Sequence, residues 1–134
     1  MTDKYDDARQ NAQNWYDSIV EMVEALAQAD ANRDGRAQDS ARDAITESVL
    51  SVEVRSDWHD VVIVERAKPD EYRILLTTGG PGLQLTGALN EYGEPETAEL
   101  QMRDWVLPWQ AWWPEAPTAA QTLLTFARCF YFGE

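Results

Sequence analysis

Cysteine and histidine each occur once in this chain of 134 residues, as Cys129 and His59. No internal disulfide can form, and neither a histidine-based metal site nor a Cys/His cluster can be assembled. A lone thiol fits a reducing compartment. Long apolar runs are missing too: no stretch approaches the ~18 residues needed to span a bilayer. The start, MTDKYDDARQ, is polar and acidic, whereas a secretory signal begins basic and then turns apolar. The expected location is therefore the cytoplasm, with no membrane association. Bases are also scarce. Eleven Lys and Arg, scattered along the chain, do not compose a nucleic-acid groove, which excludes direct DNA or RNA binding.

Acid is what the chain has in surplus: 24 Asp and Glu give a formal charge of −13. The excess is not a tail. Residues 1–50 carry 11 acids against 5 bases, and residues 51–134 carry 13 against 6. The whole folded surface is thus expected to be negative, repelling phosphates and attracting basic protein surfaces. Solubility alone calls for a charge of only about 2–8 on a small domain. Hydrophobic residues make up 44% of the chain, enough for one core, so residues 1–134 read as a single domain.

The periodicity predicts an α+β fold: an N-terminal helical hairpin, a three- to four-stranded antiparallel sheet and a C-terminal helix. From Asp6 to Ala29, apolar Ala12, Trp15, Tyr16, Ile19, Met22, Val23 and Leu26 recur every three or four residues on one helical face. Asp17, Glu21 and Glu24 occupy the opposite face. A second helix over Ala37–Ser48 offers Ala41, Ala44 and Ile45 to the first. From Leu50 the period becomes two: Leu50, Val52 and Val54 alternate with polar residues. Val61–Val64 reads as a strand or a loop edge, and Tyr72–Thr78 as the clearest strand. Gly79–Gly82 makes a turn. Leu83, Leu85, Gly87 and Leu89 line the next strand, Asn90–Pro95 turns again, and Ala98, Leu100 and Met102 line the strand over Thr97–Trp105. A final helix begins near Thr118, with Thr118 and Gln121 as a capping box. Its expected buried face is Ala120, Leu123, Leu124, Ala127 and Tyr131.

Motifs with chemical content are few. Asp30–Gly35 matches the first half of a calcium loop, but Ala41 stands where the bidentate glutamate belongs, and Arg33 and Arg36 add positive charge. An interhelical turn with a capping Asp is the simpler reading. Gly79–Gly82 lacks the following helix and lysine of a phosphate cradle. Cys129, between Arg128 and Phe130, reads as a buried, inert thiol. No pair of carboxylates is singled out for acid–base work, so no enzyme, metal or cofactor is expected. Six tryptophans are many for this length, and four of them fall within Trp105–Trp113. They either fill the space between sheet and final helix or present aromatic anchors to a partner.

Four segments together carry a resemblance: NWYDSIVEMVEAL (14–26), LSVEVRSDW (50–58), EYRILLTTGGP (71–81) and CFYFGE (129–134). They resemble small acidic proteins of bacterial phages, plasmids and other mobile elements. His59-Asp60-Val61-Val62 departs from that pattern, which has a glycine-containing loop there. Such elements carry inhibitors of host defence, several of them acidic DNA mimics. The resemblance implies an anti-CRISPR-type inhibitor acting in the bacterial cytoplasm. It would bind a basic nucleic-acid-binding surface, such as a CRISPR effector complex, and block target DNA. Asp17, Glu21 and Glu24 form one expected carboxylate row, and Glu91, Glu94, Glu96 and Glu99 a second. Helical spacing sets such carboxylates about 5–6 Å apart. The alternative is an interaction module that docks through Trp109 and Trp112 without mimicry. In either case the protein is expected to act as a monomer.

Overall fold

The computed structural model describes residues 4–56 and 69–132. The Val61–Val64 run, His59 and the departure at 59–62 lie outside the described residues. Two helices open the chain, α1 (Asp6–Ala31) and α2 (Gly35–Glu47). Strands β1 (Ser51–Arg55), β2 (Glu71–Thr77), β3 (Gly82–Ala88), β4 (Glu99–Arg103) and β5 (Gln110–Trp112) follow, and α3 (Ala119–Ala127) closes the fold. The strands form one antiparallel sheet in sequential order, β1-β2-β3-β4-β5. The architecture is α+β as the periodicity predicts, with five strands rather than three or four. No described helix is long and apolar enough to cross a membrane.

Strand register builds the core. Ile74 pairs with Leu85, Leu85 with Leu100, and Leu83 with Met102, so these side chains line one face of the sheet. All are buried beneath α1 and α3, together with Ile19, Leu123 and Phe126. Each large aliphatic residue removed from water in this way stabilises the fold by about 1.5–3 kcal/mol. α1 buries Ala8, Ala12, Tyr16, Ile19, Leu26 and Ala29, and half-buries Trp15, Met22 and Val23 against the same core. α2 packs on α1. Its contact is narrow: Ala41 and Ile45 are buried, whereas Ala44, about 100° round the helix from Ile45, is exposed. Between the helices Arg33 takes the left-handed conformation (φ 52°), and the Asp34 carboxylate accepts the Ala37 N–H at 3.2 Å. Gly35 is thus the first residue of α2, not the turn residue.

The strand missed from sequence is β5. Its three residues sit between Pro108 and Pro114 and pair with Leu100–Met102, too short a run to show alternation. The phase of α3 also differs from expectation. Ala119, Leu123, Phe126 and Ala127 are buried, Leu124 is half-buried and Ala120 is exposed. That helix is apolar around most of its circumference, so periodicity does not fix which side faces inward. It ends at Ala127, which leaves Tyr131 79% exposed. Phe132 is buried instead, 5.0 Å from the Tyr72 ring. The capping box does not form. Thr118 has ψ 11°, away from the extended value that aims a cap side chain at the helix, and Gln121 turns to Thr125.

One close approach holds β2, β3 and the β3–β4 connection together. The Tyr72 hydroxyl donates to the Thr97 carbonyl at 2.6 Å, and the Ala88 N–H donates to Thr97 Oγ1 at 2.9 Å. Gly87 lies between them, where a Cβ would collide with the Thr97 backbone and the Tyr72 ring. Burial pushes the Tyr72 phenol pKa well above its ordinary value, against the opposing pull of Arg128.

Candidate partner-binding surface

Asp17, Glu21 and Glu24 are all exposed on α1, at i, i+4 and i+7, within one narrow stripe. No Lys or Arg occurs from Gln10 to Asn32. Among the described residues none of the three carboxylates takes part in an ion pair. Asp17 accepts a hydrogen bond from Gln13 Nε2 at 2.9 Å, a neutral donor that leaves its charge in place. Glu21 borders a shallow concavity of about 510 Å³ shared with Trp15 and Met22. The partner helix adds a stripe that the sequence reading overlooked. Asp39, Asp43 and Glu47, spaced by four on α2, are exposed as well. Their i, i+4, i+8 spacing is the signal that would have found them. Arg36 and Arg42 are on the same helix and also exposed.

The second expected row divides. Glu91, Glu94 and Glu96 are exposed on the β3–β4 connection. Its turn is fixed by Asn90, whose Oδ1 accepts the Tyr92 and Glu94 N–H groups at 2.9 and 3.0 Å. A cation adjoins this turn, because Arg128 Nε donates to the Pro95 carbonyl at 3.1 Å. Glu99 is half-buried within β4 and accepts Gln101 Nε2 at 3.3 Å. Glu96 and Glu99 do share a concavity of about 410 Å³ with Trp113 and Leu124. No described contact joins this row to the α1 stripe.

The tryptophans selected from sequence are not the exposed ones. Trp109 is half-buried with the Arg103 guanidinium 4.2 Å from its ring centre, and Trp112 packs on the core opposite Leu100. Trp105 and Val106 are 71% and 95% exposed, and Trp113 is 48% exposed. The Trp105 ring lies across Gly80, where a Cβ would come within 2.6 Å of it. The sequence signal for Trp105 was its place beside Asp104, at the point where the β4 alternation stops.

On the sheet face away from the helices, charge is balanced locally. Arg55 pairs with Glu71 at 2.7 Å and Arg73 with Glu53 at 2.9 Å. Cys129 is half-buried, its Sγ 3.4 Å from the Thr125 carbonyl. Burial pushes its thiol pKa up, opposed by Arg42 and aided by Asp30. Asp34 spends its carboxylate on the α2 cap, and no group of described side chains is arranged to hold a metal ion. No family model, characterised protein or solved structure matches this chain.

Proposed function

We propose that this protein is a binding protein that occupies a cationic, nucleic-acid-binding surface of another protein and so excludes DNA from it. The observation that carries this reading is the unpaired carboxylate stripe Asp17–Glu21–Glu24 on a rigid helix, in a base-free stretch of 23 residues (10–32). A second stripe on α2 supports it. Rise along a helix spaces such carboxylates by about 5–6 Å, close to the phosphate interval of a DNA strand. A Lys- and Arg-lined channel that meets them sheds the same counterions it would shed on binding a polynucleotide. An anti-CRISPR-type inhibitor directed at an effector complex is the specific form that the sequence resemblance suggests.

The test is a pulldown from a bacterial host with an active CRISPR system, read by mass spectrometry, with the wild-type chain and an Asp17→Lys/Glu21→Lys/Glu24→Lys variant. The wild type should retain a nucleic-acid-binding complex that about 0.5 M salt releases. The variant should retain none. Equal recovery by the two proteins would refute the reading. A specific observation favours one alternative, namely docking through the exposed Trp105–Val106 pair. In that case Trp105→Ser removes the partner, and salt does not.

A further inference from the structure

On the sheet face away from the helices, a concavity of about 410 Å³ opens over β1, β2, β3 and β4. Gln84 and Gln101 line it, joined across the β3–β4 pair. Gln84 is only 4% exposed, the one polar side chain among the described residues that is buried to this degree. Its Nε2 donates to Gln101 Oε1 at 2.7 Å, and Gln101 Nε2 donates to Glu99 Oε1 at 3.3 Å. The order of this chain is dictated from one end. An ionised carboxylate only accepts, so Gln101 must turn its amide nitrogen to Glu99 and its oxygen to Gln84. Gln84 must then donate with its nitrogen, and its Oε1 is left buried with no partner. The aligned amide dipoles point their oxygen ends away from Glu99, which strengthens Gln84 Oε1 as an acceptor.

The ion pairs beside it are also incompletely used. Arg55 Nε and Nη2 both donate to Glu71 Oε2, at 3.0 and 2.7 Å. Arg73 Nε and Nη2 both approach Glu53 Oε1, at 3.0 and 2.9 Å. Among the described residues, one oxygen of each carboxylate is therefore without a donor. Glu53, Glu71 and Gln84 all line this concavity, and the unpartnered Gln84 oxygen is buried in its wall. The four charges around it cancel. Glu99 at the end of the amide chain then leaves the immediate surroundings net negative, which favours a cationic occupant.

We infer that this concavity receives the guanidinium group of an arginine carried by a protein partner. Guanidinium is a planar fork of five donors with no acceptor, the complement of a site whose unused groups are acceptors. An ammonium offers three donors around a compact, strongly hydrated charge and lacks the planar fork that spans neighbouring acceptors. The site lies on the sheet, not on the helical hairpin, and stands or falls separately from the carboxylate stripe of α1.

The experiment is an amide NMR titration of the full ¹⁵N-labelled chain with Nα-acetyl-arginine amide, its citrulline and lysine counterparts, and a short arginine-containing peptide. Arginine amide should shift the side-chain NH₂ signals of Gln84 and Gln101. The uncharged citrulline compound and the lysine compound should each bind at least about tenfold more weakly. Gln84→Met should weaken arginine binding by about tenfold. Glu53→Gln, at an exposed position where folding is not at stake, should weaken it by about threefold. The peptide should bind more tightly than arginine amide. Absence of Gln84 and Gln101 shifts, or citrulline binding as well as arginine, overturns the site. A peptide no better than arginine amide overturns the protein partner in favour of free arginine. The Asp17→Lys/Glu21→Lys/Glu24→Lys variant should bind arginine amide as the wild type does, which keeps failure here distinct from failure of the proposed function.

Discussion

The helical hairpin and the far face of the sheet carry the same kinds of charged residue and treat them in opposite ways. On α1, three carboxylates follow one another along a stripe, and none is ion-paired among the described residues. On the sheet, Glu53 and Glu71 lie directly across from Arg73 and Arg55 and are neutralised by them. The backbone explains both patterns. Directly opposed residues on neighbouring strands sit about 5 Å apart, so alternating signs pair across the ladder. Residues four apart on a helix are equally close, but here they carry the same sign and repel. Net charge is therefore a poor guide to where potential is displayed. The acidic surplus of this chain is lined up without bases along α1 and locally cancelled on its β1–β2 ribbon.

The largest expected effects compare how each region is anchored. Ile74→Ala in the sheet and Ile45→Ala in α2 each empty a fully buried site and should cost about 2–5 kcal/mol by urea denaturation. They should differ in reach. Ile74→Ala destabilises every amide measured by hydrogen exchange. Ile45→Ala acts first on α2, which packs mainly on α1 through Ala41 and Ile45. Uniform loss of protection in both variants would show that the hairpin is not a separable layer.

A smaller effect belongs to Tyr72. Tyr72→Phe removes the bond to the Thr97 carbonyl and should cost about 1–3 kcal/mol at neutral pH. The pH dependence has a definite sign. Burial raises the folded-state pKa of both the Tyr72 phenol and the Cys129 thiol, so the unfolded chain loses these protons first. Their contribution is intact below the ordinary values of 9.0 for the thiol and 10.0 for the phenol, and is lost as pH rises from those values toward the folded ones. Tyr72→Phe should therefore flatten the alkaline fall in stability. An unchanged alkaline slope would show that Tyr72 ionisation does not contribute to it.

The smallest effects sharpen the contrast most, because their signs differ. Glu21→Gln relieves repulsion from Asp17 and Glu24 and should stabilise the fold by about 0.2–0.5 kcal/mol. Glu53→Gln breaks an exposed pair with Arg73 and should destabilise it by about 0–1 kcal/mol. Both differences should shrink in high salt. Equal signs for the two variants would collapse the distinction between the regions.

Much of this division was legible in sequence. The 3.6-residue period of α1 located both its buried face and its acidic stripe, because a long amphipathic helix leaves little freedom of phase. The alternation in Tyr72–Leu76 and Leu83–Leu89 likewise located the central strands. What was not legible depended on contacts between distant segments. β5 exists only because Leu100–Met102 offers it an edge. The inward side of α3 is chosen by the sheet beneath it, and Trp109 is drawn under Arg103 rather than left free. The open acceptor of Gln84 had no local signature at all. It follows from a hydrogen-bond chain that crosses from β3 to β4 and ends on Glu99.

The contact at Gly87 bears on how this chain can diverge. A side chain there has no direction to grow, since backbone closes one side and an aromatic ring the other. Enlarging that residue, shortening the ring at 72 or shifting the carbonyl at 97 each spoils the fit for the other two. Descendants of this sequence would inherit the trio as a single character, to be replaced together or not at all.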